Sequence, residues 1–466
     1  MMIYDLVSQI NGVLWGAILV YALIAVGVWF TVRLGFLQLR HFGHMFSLLK
    51  NSRSANQAGI SSFQALCMSL SARVGTGNLA GVAIAISLGG PGAIFWMWMI
   101  ALLGMATGFA ESLLAQVYKV RDANNEFRGG PAYYIKQGLN NPWLAGLFSC
   151  FVLFGYGFVF SATQANTIAD ALNHSYAIPV VYTALALTVL AAVIVVGGLR
   201  SIARFSELVV PVMGAIFVLM ALGICIANWS AIPDLFWQIV SSAFGWQEAG
   251  AGTFAAALKN GIQRGLYSNE AGAGSVPQAA AAAAPTPNHP ASQGYVQMLG
   301  VFFDTLVICT CTAFVILLAN GSLSGEMEGI RMTQRAMTTH IGPLGGHFVA
   351  LAICLFGFTS IVGNYAYAES NLHFFKLDTQ WGRHGFTMVF LAMMFIGCNV
   401  QLRQVWATAD MAFGLMAVIN VVALVLLTRT VLSVTRDYQR QRLAGGKPEF
   451  QAAKCPVQGR TETDIW

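Results

Sequence analysis

Two stretches of this chain interrupt apolar segments long enough to cross a bilayer: residues 71–81, SARVGTGNLAG, and residues 268–278, SNEAGAGSVPQ. Each holds Gly-x-Gly followed by a short polar residue, Gly75-Thr76-Gly77-Asn78 in the first and Gly272-Ala273-Gly274-Ser275 in the second. A peptide group without a hydrogen bond in hydrocarbon costs several kcal/mol, on the order of amide transfer values. Unwound backbone at that depth persists only where it lines a cavity or holds a ligand. Two interruptions therefore predict two broken helices facing a common buried site.

The surroundings of these breaks are lipid-facing by composition. Of 466 residues 56% are hydrophobic and 9% charged, against roughly 25% charged in an average soluble domain. At about 20 mostly apolar residues per span, eleven segments emerge, near 12–34, 60–89, 92–118, 147–172, 178–198, 207–228, 252–284, 294–319, 346–372, 384–400 and 409–431. Residues 228–250, with Trp229, Phe236, Trp237, Phe244 and Trp246, read as an interfacial stretch along the headgroups.

The net charge of +6 does not indicate nucleic acid, because the Lys and Arg residues lie in connections and in the tail. With the C-terminus inside, eighteen of them fall on the inner side and three, Arg331, Arg335 and Arg403, on the outer. Arg33, Arg73, Lys259 and Arg264 lie within or at the ends of spans. This asymmetry predicts an outside N-terminus and a cytoplasmic C-terminus. The first span, preceded by Asp5 and no basic residue, reads as retained and not as a cleaved signal. Seven of the eight cysteines sit in or at the edge of apolar spans, and Cys309-x-Cys311 lacks a second ligand pair, so neither a disulfide framework nor a zinc site is expected.

Setting the first span aside leaves ten, five and five, with a broken helix opening each half. An odd-numbered repeat must be inverted in the membrane. The expected fold is an all-α polytopic membrane protein of eleven transmembrane helices. Its parts are an extra N-terminal helix (1–34), a first five-helix repeat (60–228), an interfacial connection (229–251), a second repeat (252–431) and a cytoplasmic tail (432–466).

The run SFQALCMSLSARVGTGNLAGVAIAISLGGPGAIFWMWMIALLGMATGFAES, then FRGGPAYYI, NGIQRGLYSNEAGAGSVPQAAAAA and HPASQGYVQMLGVFFDTLVICT, resembles the alanine or glycine:cation symporter family over nearly the whole chain. The resemblance implies a fold similar to the LeuT-type amino-acid transporters, set in the inner membrane. It also implies that a Na+ or H+ gradient drives uptake of a small neutral amino acid, with no organic cofactor.

Within the first break, Gly75 and Gly77 let amide N–H groups approach an anion, and a helix starting at Leu79 would point its positive end there. With Thr76 and Asn78 at membrane depth, this suits an α-carboxylate; the alternative is a tight helix-packing GxG. In the second break Asn269, Gly272 and Gly274 would offer unwound carbonyls to the ammonium. Glu270 is either functional or a structural partner of Arg264 or Arg73. In LeuT-type proteins an adjacent hydroxyl pair and carbonyls of the first broken helix hold sodium. The matching positions are Thr359 and Ser360, with backbone oxygen from Val74 and Phe356; alternatively both hydroxyls bond back to their own helix. The resemblance also sets Gln164 against the substrate, with Thr163 and Asn166 in helix packing.

Two positions depart from what family members often carry. Arg73 stands where Thr is frequent and needs an acid or a watery vestibule. Asn364 stands where Trp is frequent, which makes the pocket wider and more polar and opens selectivity to a larger substrate such as glutamine. Glu111, Asp304, Glu369 and Asp410 read as partners of buried donors, with Asp304 or Glu111 an alternative proton relay. The eight histidines have no metal spacing, and Gly75-x-Gly77 lacks the Lys-Ser/Thr of a P-loop. No nucleophile and base share a depth, so an enzyme is not expected; a non-transporting amino-acid sensor is the remaining alternative.

Overall fold

The computed structural model describes residues 2–50, 52–53, 59–122, 124–246, 251–319 and 329–466. The helices that build the bundle and the tail, in chain order, are α1 (Tyr4–Arg33), α2 (Ser62–Arg73), α3 (Gly77–Gly89), α4 (Gly92–Val117), α5 (Pro142–Tyr176), α6 (Val180–Val195), α7 (Gly198–Ala227), α8 (Ala251–Asn269), α9 (Val276–Ala281), α10 (Pro290–Leu318), α11 (Pro343–Phe374), α12 (Gln380–Gly397), α13 (Leu402–Leu426) and α14 (Thr428–Leu443), with shorter helices at Leu37–Arg40, Phe42–Lys50, Pro131–Gly138, Ile232–Ala243 and Ile330–Ile341 between them. Seven of these, α1, α4, α5, α7, α10, α11 and α13, are long and apolar enough to cross a membrane. A multi-pass membrane protein follows. The strands among the described residues are one short antiparallel pair, Val120–Arg121 with Phe127–Arg128.

Several helix starts differ from what hydropathy suggests, because their first turns are set by caps and not by apolar side chains. Ser61 and Gln64 form a reciprocal capping box that starts α2 at Ser62, two residues after the expected edge, whereas α5 and α12 start earlier than expected. Asn141 accepts the Leu144 N–H with Pro142 in the first turn of α5. Thr379 accepts the Gly382 N–H at the start of α12. Such polar starts carry no hydropathy signal.

The two breaks fall where expected, with shifted edges. The first is confined to Val74 and Gly75: α2 ends at Arg73, Val74 is extended at φ −76, ψ 90, and winding resumes at Thr76 and Gly77, ahead of Leu79. The second spans residues 270–275, α8 carrying on through Ser268 and Asn269. Glu270, Gly272 and Gly274 have φ of 57, 93 and 83, so the chain reverses its local hand there. The two glycines adopt that region without a Cβ penalty.

Small residues bring α8 against α4. A Cβ on Gly265 would lie 2.7 Å from Ile100 Cγ2 and 3.2 Å from Met97 Cα, so the helices touch nearly backbone to backbone. The stretch read as interfacial forms a short turn, Trp229–Ala231, and the helix Ile232–Ala243, with Trp229, Trp237 and Trp246 exposed. Residues 247–250 of that stretch lie outside the described residues.

The tail folds back on the bundle. Trp466 Nε1 donates to Gln116 O at 2.9 Å, the Phe450 N–H to Asn288 O at 3.0 Å and the Tyr118 hydroxyl to Gln458 O at 2.5 Å. Beneath it Lys119, 1% exposed, donates to Gln116 Oε1 and to Ala283 O, just past α9. Its ammonium sits 4.0 Å from the Phe127 ring and 4.6 Å from the Trp466 ring, a placement that compensates burial of the charge.

Candidate functional site

Between the breaks lies a small cavity of 10 Å³, room for about one water. Arg73, Gly77, Gln164, Tyr267, Glu270 and Asn364 line it, with aromatic walls from Tyr156, Phe160 and Phe413. Ring centroids of Phe160 and Tyr267 stand 5.9 Å apart, and those of Tyr267 and Phe413 6.0 Å. Above Tyr267 a larger cavity of 620 Å³ opens between α1, α3, α8 and α13. The partition between the two is the Arg264–Asp410 ion pair with Trp406, whose ring lies 4.8 Å from Tyr267 and 4.9 Å from the Arg264 guanidinium.

In the first break, side chains satisfy the freed amides. The Gly75 N–H donates to Asn78 Oδ1 at 3.0 Å and the Thr76 N–H to Gln164 Oε1 at 2.9 Å. The groups expected to meet a carboxylate are thus already engaged, and the Thr76 hydroxyl is buried without a partner. Asn78 turns away from the cavity: its amide donates to Asp304 Oδ1 at 2.7 Å and to Ser268 Oγ at 3.1 Å. Asp304, fully buried, also accepts from the Ser268 and Thr305 hydroxyls at 2.7 and 2.8 Å. This knot ties both broken helices to α10, where a widened π turn over Phe302–Cys309 turns Asp304 inward.

The second break is held from the other side. The Gly274 N–H donates to Glu111 Oε1 at 3.0 Å, and the Asn420 amide donates to Gly272 O at 3.0 Å and to Glu111. The backbone of Gly272 and Gly274 is thus held by α4 and α13, Asn269 lies beside Gly104 of α4, and none of the three lines the small cavity. Asn269 Oδ1 accepts its own loop's Ala271 N–H at 3.0 Å. Glu270 does line the cavity, and its Oε2 accepts from the Ser275 hydroxyl at 2.7 Å. It pairs with neither Arg264, whose partner is Asp410, nor Arg73.

The hydroxyl pair sits where α11 crosses the end of α2. The Ser360 hydroxyl donates to Ser71 O at 2.8 Å and Val74 O at 3.3 Å, while Thr359 donates to Phe356 O at 2.9 Å. Two hydroxyls and the carbonyls of Ser71, Val74 and Phe356 form an all-oxygen donor set, the chemistry a hard cation takes. Ser71 was not expected from the sequence. No group of three or more His, Cys, Asp or Glu side chains with metal-site spacing occurs among the described residues.

Gln164 and Asn364 line the cavity, the Asn364 amide donating to Ser161 Oγ at 3.5 Å. The linkers that sequence reasoning missed, Ser268, Ser71 and Asn420, had one available signal: a polar side chain within an apolar span has to face a partner. Tyr156, Phe160, Tyr267 and Phe413 had none, because aromatic residues in a span face lipid and cavity alike.

The sequence matches the model of the Sodium:alanine symporter family over residues 1–452. It is similar to an uncharacterized transporter, YaaJ, of Escherichia coli, 47% identical over 99% of this chain and 98% of that protein. It is 45% identical to the amino-acid carrier protein AlsT of Bacillus subtilis, over 96% of this chain and 94% of the relative. With the probable sodium/glutamine symporter GlnT of Bacillus subtilis it shares 42% identity over 96% of this chain and 92% of the relative. On these matches, which run over nearly the whole chain, it belongs to the sodium:alanine symporter family, a family of transporters and not of enzymes.

Proposed function

We propose that this protein is a secondary active symporter that couples inward movement of Na+, with H+ the alternative ion, to uptake of a small neutral amino acid, alanine or glycine. The observation that carries this reading is the small, polar-lined cavity between two broken helices, with Tyr267, Trp406 and the Arg264–Asp410 pair standing between it and a wider vestibule. A site that is buried and yet adjoins an open vestibule suits alternating access. In the proposed architecture, α6, α12 and the pairs α2/α3 and α8/α9 complete eleven spans, arranged as a five-plus-five inverted LeuT-type repeat behind α1. The N-terminus is outside and the C-terminus cytoplasmic, in the inner membrane.

In this mechanism the amino acid enters from the vestibule as the Arg264–Asp410 pair and the aromatic plug part. Gly75 and Gly77 allow α5 and α8 to approach the break, and Gln164 and Asn364 present amides to the substrate. Na+, as co-substrate, would be met by the Thr359 and Ser360 hydroxyls with the carbonyls of Val74 and Phe356. Its occupancy would brace the unwound end of α2. One charge moving through 100 mV contributes about 2.3 kcal/mol, roughly fortyfold in concentration. A carrier for a larger neutral amino acid such as glutamine is the second reading, favoured by Asn364 in the cavity wall and by the similarity to GlnT.

The test is reconstitution into liposomes with labelled alanine, glycine and glutamine under separate Na+ and proton gradients. Accumulation of alanine or glycine that collapses when choline replaces Na+ is expected. Failure to move any amino acid under either gradient would refute the proposal.

A further inference from the structure

A second space lies away from the central site, on the outer flank of the bundle. It is a groove of 370 Å³ between α2, α7 and α10, and all its lining side chains are apolar, among them Phe63, Leu70, Val74, Val218, Phe303 and Val307. On α7 a side chain is missing from its wall: a Cβ on Gly214 would meet no atom within 4 Å, and Pro211 and Ala215 beside it are exposed. Apolar space of this kind holds no water, and at membrane depth hydrocarbon is what fills it.

The groove has a length and two unlike ends. From Phe63 to Val74 it follows α2 for about 16 Å at 1.5 Å per residue, close to one leaflet of a hydrocarbon core about 30 Å thick. At the far end stands Val74, the extended residue of the first break, whose carbonyl accepts from the Ser360 hydroxyl. At the mouth lies the helix Phe42–Lys50, with Leu49 in the groove wall and the Phe46 ring 6.1 Å from that of Phe303. Phe42 and Phe46 are exposed, and so are Lys50 and Arg53 after them, the pattern of an interfacial helix with a basic end. The Arg53 guanidinium lies 5.3 Å from the Phe63 ring. Arg204, exposed on α7, shares a helix face with Pro211 and Val218. Glu207, the acid of α7, is engaged by the Gln64 amide at 2.9 Å. Cations thus gather at one end of a space that is otherwise apolar.

We infer that this groove is a binding site for an anionic phospholipid. One acyl chain of the leaflet on the Lys50 and Arg53 side fills it, the phosphate rests on those two cations, and the chain end packs against Val74. Leaflet length and charge at one end only match a lipid; a soluble anion would leave the apolar part empty. The chain end thereby buttresses the residue at which α2 loses its winding.

The experiment measures lipid binding to the purified, delipidated full-length protein in detergent by native mass spectrometry, with thermal midpoints alongside. The probes are dioleoyl phosphatidylglycerol and dioleoyl phosphatidylcholine, which share their chains and differ in headgroup charge. Two cations predict about 30-fold tighter binding of phosphatidylglycerol, roughly 2 kcal/mol at 1.4 kcal/mol per decade. The double variant Lys50→Gln, Arg53→Gln should bring that preference to within about threefold. Gly214→Trp, whose ring fills the groove, should weaken both lipids by about tenfold and abolish the lipid-dependent rise in thermal midpoint, while Gly214→Ala behaves as wild type. Should Gly214→Trp fail to fold, the double variant decides alone, because both of its residues are exposed. Equal affinity of wild type for the two lipids overturns the inference, as does a preference that survives in the double variant or a folded Gly214→Trp that binds as wild type does. Glycerol 1-phosphate raising the midpoint as much as phosphatidylglycerol would mark a soluble-anion site, and a dimer with its groove protected in lipid-free detergent would make the occupant a second copy; either also overturns it. None of these readouts involves transport, so the transport reading stands or falls separately.

Discussion

Adding one methyl group at Gly75 isolates the role of the first break. A Cβ there would lie 2.7 Å from Gln164 Oε1 and 2.9 Å from Nε2, with Ser360 Oγ closer still. Ordinary contact begins at 3.4 Å, so Gln164 must retreat by about 0.7 Å, and its 2.9 Å bond from the Thr76 N–H would open beyond hydrogen-bond range. The buried amide so released costs about 1–3 kcal/mol, and overpacking a filled interior about as much again. If about 3 kcal/mol of this falls on the closed state, uptake kcat/KM drops roughly 100-fold at 1.4 kcal/mol per decade. The control is Gly81→Ala in the same motif, where the nearest atoms to a Cβ are Trp406 at 3.6 Å and Thr76 O at 3.7 Å. Initial rates of labelled alanine uptake in proteoliposomes, alongside thermal midpoints of both variants, make the measurement. Gly75→Ala with near wild-type uptake, or Gly81→Ala losing as much, would refute the steric argument.

Ser360→Ala removes a hydroxyl that bridges α11 to Ser71 O and Val74 O; the Na+ concentration for half-maximal uptake should rise about tenfold, the loss of one bond to a charged group, and an unchanged Na+ titration counts against the proposed ion site. Trp466→Ala uncovers Lys119 and frees the connection after α9, so hydrogen exchange of residues 276–283 should speed up by about tenfold, from some 1–2 kcal/mol of lost cation–π and hydrogen-bond stabilisation, while α8 stays as protected as before. Burial, then Arg442, lowers the His44 imidazole from 6.5 to about 4. Because the unfolded chain takes up a proton there that the folded one refuses, stability held above pH 6.5 is lost as pH falls towards 4. The thermal midpoint should drop over that window, less steeply in His44→Gln, and equal slopes would show that His44 is not the group responsible.

Much of the architecture was legible in the sequence because its causes are local. Span lengths follow from runs of apolar residues, and both breaks were visible because Gly-x-Gly with a polar neighbour has few uses at membrane depth. Helix edges were less legible, since Asn141, Thr379 and the Ser61–Gln64 box act through hydrogen bonds that hydropathy does not register. Of the candidate residues read from the sequence, Gln164, Gly77 and Asn364 line the cavity, whereas the Gly272 and Gly274 backbone is bonded by Asn420 of α13 and Glu111 of α4.

By itself, the sequence determined that this chain lives in a membrane, where its helices lose their winding and which family it resembles, all properties of short windows of side chains. Only the tertiary structure decided which way each freed peptide group points. The hydrogen bonds that claim them come from Gln164, Asn78, Glu111 and Asn420, residues 3 to 163 positions away along the chain. Once those partners are counted, the Arg73 guanidinium is left without an acceptor among the described residues, a remainder that no local reading of its neighbours reveals.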